Sequence, residues 1–120
     1  MSSIGFDSCF YDRLDQFSKS LNHVLLATKR NSSLAAETDW ATTLELVRTL
    51  ATPAANSLAA TSVAACLKGR PGTTASWGFV AQALEKRALD QVSMKSLFDL
   101  AWSLDEERAA VLMRMRQGHA

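Results

Sequence analysis

Nucleophilic catalysis needs a hydroxyl or thiol held beside a base, and this 120-residue chain offers two histidines, His23 and His119, and two cysteines, Cys9 and Cys66. His119 stands next to the final residue, where chains fray. His23 lies beside an apolar stripe near the end of a predicted helix, so a thiolate and base pair requires the fold to bring it against Cys66. Its position favours a surface histidine instead. Asp12 and Asp15 share one side of the same helix and Asp99 lies on a later one, yet a helical carboxylate metal site needs Glu-x-x-His pairs facing inward from several helices. None is present. Gly5, Gly69, Gly72, Gly78 and Gly118 match neither a dinucleotide-binding nor a Walker pattern. No catalytic residue, metal or cofactor is expected, and the chain is not expected to be an enzyme.

The elements that would position any site are helices. Phe10, Leu14, Phe17, Leu21, Val24 and Thr28 recur at alternating steps of four and three, which builds an apolar seam along one side of a helix. Asp7 or Ser8 can cap its start, and Lys29 and Arg30 suit the negative end of its dipole. A second helix places Trp40, Leu44, Val47 and Ala51 on one face. Pro53 opens a third, rich in alanine, which the run Gly69, Arg70, Pro71, Gly72 stops. A fourth carries Trp77, Val80, Ala81, Leu84 and Ala88. A fifth turns Leu97, Phe98, Ala101 and Leu104 inward, and Ser103-x-x-Glu106 matches a capping box that starts a sixth. The spacing therefore predicts helices at roughly 8–29, 34–51, 53–68, 74–89, 93–103 and 104–117. The expected fold is all-α, a compact bundle of five to six helices with short loops and no sheet, forming one domain over 1–120.

Composition agrees with a soluble helical protein, since 48% of residues are apolar and 21% charged, and alanine and leucine outweigh the residues that strands favour. Thirteen Lys and Arg against twelve Asp and Glu leave a net charge of +1, too little to draw the domain onto nucleic acid or an anionic membrane. The basic pairs Lys29 and Arg30, Lys68 and Arg70, Lys86 and Arg87, and Arg114 and Arg116 fall at helix ends, where the dipole explains them without a ligand. Direct nucleic-acid binding is not expected. The uncharged stretch between Arg48 and Lys68 is interrupted by Pro53 and Asn56 and is too weakly hydrophobic to span a membrane. With no CxxC spacing, no signal-like start and thiols among small neighbours, a cytoplasmic location is expected.

What remains is surface. The helix-one seam, with Phe10, Leu14, Phe17, Leu21 and Val24, suits either the chain's own core or a partner helix. A second surface lies near the C-terminus, with Trp102, Leu112, Met113 and Met115; Trp102 follows Ala101 directly and so turns away from the side of Leu97 and Leu104. Methionine adapts to irregular partners and tryptophan anchors interfaces. These residues lead to the expectation of a protein-binding regulator that occludes a surface of a target protein, as an inhibitor or anti-activator would, acting as a homodimer. The alternative is a helical-hairpin subunit of a larger protein or ribonucleoprotein assembly, motivated by Trp40 and Trp77, which open similar helices 37 residues apart.

Overall fold

The computed structural model describes residues 3–30, 35–52, 58–67 and 76–117. They form five helices and, among the described residues, no strand: α1 (Ser3–Arg30), α2 (Glu37–Ala51), α3 (Leu58–Leu67), α4 (Trp77–Lys86) and α5 (Gln91–Gln117). The helix start expected at Pro53 and the stop expected at Gly69 to Gly72 lie outside the described residues.

α1 and α5 are the long members. At 1.5 Å per residue a 28-residue helix is about 42 Å long, close to the 46 Å longest dimension of the molecule. They pack against each other more extensively than any other pair. Two cross-links set their direction: the Ser18 hydroxyl donates to Asp105 at 2.9 Å and Arg108 donates to Asp15 at 2.7 Å. Three residues back along α1 correspond to three residues forward along α5, so the helices run antiparallel. α2 packs on α1, α4 packs on α2 and closes back onto α5, while α3 fills in against α2, α1 and α5. Trp40 lies under Arg87 at one end of the α2–α4 contact, and Ala51 shares a cleft with Gly78 at the other, so these helices are also antiparallel.

The core is the meeting of the apolar stripes. Phe10, Leu14, Phe17, Leu21, Val24 and Leu25 of α1 meet Leu97, Leu100, Leu104 and Val111 of α5, with Leu46 and Val47, Val63 and Leu67, and Trp77, Val80 and Leu84 from the shorter helices. Burial of this kind supplies the main driving force for a bundle, at about 1.5–3 kcal/mol for each large apolar side chain.

Several expected boundaries shift. α1 begins at Ser3 rather than near residue 8. α2 begins at Glu37 rather than 34, because the Asp39 carboxylate reaches back to accept the Ala36 N–H at 2.9 Å and caps the helix there. α4 stops at Lys86 rather than 89: Arg87 turns left-handed (φ 52°), its N–H bonds to the Leu84 carbonyl, and the Ala88 N–H bonds back to Ala83. That double bond pattern is a Schellman ending, with arginine in the place glycine usually takes. α5 starts two residues early, since Asp90 accepts the Ser93 N–H at 2.8 Å. The break expected between residues 103 and 104 is absent. Ser103 is helical and buried against the bundle, and no glycine or proline lies between Gln91 and Gln117 to interrupt the ladder. Among the described residues α2 and α3 span 15 and 10 positions and α4 and α5 span 10 and 27, so the 37-residue recurrence is not matched in described helix length. Trp77 is buried and Trp40 only half-buried.

Candidate protein-interaction surface

The seam of α1 is enclosed by its own bundle. Phe10, Leu14, Phe17, Leu21 and Val24 are between 0% and 7% exposed, so this chain's α5, α2 and α3 occupy the face that the sequence also offered to a partner helix. The physical reason is register. The seam is matched in length by α5, whose own apolar stripe lies directly against it.

The C-terminal surface behaves differently. Trp102 is 69% exposed and Met113 55% exposed. Leu112 and Met115 are half-buried, and Met115 packs against the core. Phe98, expected inward beside Leu97, points outward and is 49% exposed. One residue along a helix is a turn of about 100°, and the core takes Leu97 and Leu100. The signal that identifies Phe98 is its spacing to Trp102: four residues apart, the two share the side of α5 opposite Leu97, Leu100 and Leu104. The same side carries Lys95, Glu106 and Ala109, all exposed. α5 thus carries large apolar side chains on two faces, one spent on the core and one, mixed with charge, turned to solvent. Leu26, Phe79 and Val92 are the other exposed large apolar side chains among the described residues.

Two of the polar groups that suggested chemistry, His23 and Asp15, join helices. The His23 Nδ1 lies 3.2 Å from the Asp39 carboxylate, so its partner is an acid on α2 and not Cys66. Burial alone raises the Asp39 pKa, but the Ala36 N–H, His23 and the Ser20 hydroxyl together hold it below the ordinary carboxylate value. In this arrangement Ser20 and His23 both bond the same carboxylate on α2. Asp15 is hydrogen-bonded by Lys19, which opposes the effect of burial and with Arg108 lowers its pKa. Lys95 lies 3.5 Å from Asp99. Asp12 is exposed on α1. Among the described residues no group of three or more His, Cys, Asp or Glu could hold a metal ion.

Two shallow clefts of about 210 and 330 Å³ lie between α2 and α4. The first is lined by Trp40, Leu44 and Leu84, with Glu37, Glu85 and Arg87 at its rim. The Arg87 guanidinium sits over Trp40, 5.0 Å from the ring centre, and grips both oxygens of Glu37. Arg48, on the wall of the second cleft, pairs with Glu85. These cations and carboxylates neutralise each other, and neither cleft sets a nucleophile beside a base.

No family, curated protein or solved structure matches this chain. No helix among the described residues is long and apolar enough to cross a membrane.

Proposed function

We propose that this chain is a cytoplasmic protein-binding regulator that presents the outer face of α5 to a target protein and covers a surface the target needs. The observation that carries this reading is Trp102, a tryptophan 69% exposed on a long, regular helix, with Phe98 one turn before it and Met113 about three turns after it on the same face. Large apolar side chains grouped on one exposed face mark contact sites more often than chance decoration. Tryptophan is the residue whose truncation most often costs an interface 2 kcal/mol or more. A helix braced along its length by α1 presents these groups with little ordering cost, which favours affinity.

The test is affinity capture from an extract of the source cells with immobilised wild-type chain and Trp102→Glu in parallel, followed by reconstitution of any complex from purified components. A stoichiometric partner lost with Trp102→Glu, while circular dichroism shows the variant folded, supports the reading. Equal recovery by both chains, or none by either, removes it.

A further inference from the structure

Lys95, Phe98, Trp102, Glu106, Ala109 and Met113 follow one another at steps of three and four along α5, and all six are exposed. Such steps keep them on one side of the helix. When two copies of a helix pack antiparallel about a two-fold axis, facing positions have numbers that add to a constant, and every contact is made twice. Setting Phe98 against Trp102 of a second copy makes that sum 200 and puts the axis on the outer face at the level of Leu100, whose own side chain is buried on the opposite side. The same register carries Lys95, which lies 3.5 Å from Asp99 on its own helix, to Glu106 of the second copy, while Asp105 stays turned toward Ser18 of α1. This one alignment satisfies aromatic pairing and charge complementarity together. Centring the pair between Asp105 and Glu106 instead would set these acids against each other and Lys95 against Arg116.

We infer that the outer face of α5 pairs, two-fold and antiparallel at the level of Leu100, with the same face of a second copy of this chain. The inference rests on the reading of that face as protein-binding and names one occupant for it. Self-pairing covers Trp102, so dimer and target complex compete for the same surface. Two aromatic contacts and two ion pairs between single helices belong to the smallest class of specific interfaces, below about 1,200 Å² in total. Dissociation in the micromolar range follows.

Sedimentation equilibrium of the full chain from about 1 to 500 µM brackets that range. Wild type is expected to shift from monomer to dimer. Trp102→Glu is expected to remain a folded monomer throughout, because its side chain lies outside the core. Lys95→Glu is expected to raise the dissociation constant about tenfold, as like charges now meet across the axis, and Lys95→Glu with Glu106→Lys is expected to recover most of the loss. A wild-type monomer at the top concentration overturns the inference. So does a Trp102→Glu dimer as tight as wild type, or a double variant no tighter than Lys95→Glu. Target capture is read separately: a partner lost with Trp102→Glu from a chain that stays monomeric removes self-pairing and leaves the proposed function standing. Self-association without a captured partner does the reverse.

Discussion

Arg108 of α5 donates from Nη1 to Oδ1 of Asp15 on α1 at 2.7 Å, joining two residues 93 positions apart in the sequence. Asp15 is also gripped by Lys19 one turn along, and Arg108 lies 3.5 Å from Asp105, which in turn accepts from Ser18. The network aligns the two longest helices over the middle of their contact. Arg108→Ala is expected to lower stability by about 1 kcal/mol, because the pair is half-exposed and partly screened. A double-mutant cycle with Asp15→Ala in urea checks it, and a coupling energy indistinguishable from zero would contradict a direct link.

The carboxyls of Asp15 and Asp39 are both held below their ordinary value of 3.8. A group whose folded pKa is depressed contributes stability that is complete above its unfolded pKa and is lost as pH falls through the lower folded one. Melting temperature should therefore fall as pH drops below about 4. The fall is expected to be smaller in Asp15→Asn and Asp39→Asn, each of which starts from a less stable protein at neutral pH.

Leu21 is 1% exposed and sits where α1 meets its neighbours. Leu21→Ala is expected to cost about 2–5 kcal/mol in urea unfolding, the range for an emptied leucine site in a packed core. Leu21→Glu should abolish cooperative unfolding altogether. A Leu21→Glu chain that remained folded and changed only its association state would place this side chain at an interface instead.

Arg87 occupies a left-handed backbone position, φ 52°, while its side chain clasps Trp40 and Glu37. Glycine at 87 loses the clasp but adopts that backbone freely, whereas alanine loses the clasp and keeps the strain. Arg87→Ala should melt several degrees below Arg87→Gly in differential scanning calorimetry. Equal melting temperatures would show that the turn relaxes without cost.

A Cβ added at Gly78 on α4 meets no atom within 4 Å beyond its chain neighbours and the backbone of its own helix. Gly78→Ala is expected to raise stability by roughly 0.5 kcal/mol through the reduced freedom of the unfolded chain. Thermal melts of the two proteins decide it.

Secondary structure was legible because it depends on local pattern. The steps of four and three from Phe10 to Val24 require a helix with one apolar side, and Asp90 is a cap wherever its helix packs. The end of α4 was not legible, since Arg87 gives no sign of a left-handed turn until the bonds from Arg87 and Ala88 to the carbonyls of α4 are formed. The continuity of α5 was obscured for a related reason: Ser103 and Glu106 suit a helix start and a helix interior equally, and burial of Ser103 against the bundle selects the interior. Outward tryptophan was anticipated at Trp102 from its place next to Ala101, while Phe98 beside Leu97 offered two apolar residues for one inward position.

By itself, then, the sequence determined that the chain is helical, where its helices broadly lie, and that it has more apolar stripe than one core consumes. Only the tertiary structure decided which stripe is left over. Periodicity specifies that a face must be covered but not by what, because covering is a matter of long-range pairing. Leu14 and Leu21 are covered because α5 is long enough to lie along α1 and is held there by Arg108 and Asp15. The outer side of that same helix, at Phe98, Trp102 and Met113, faces solvent for the same reason.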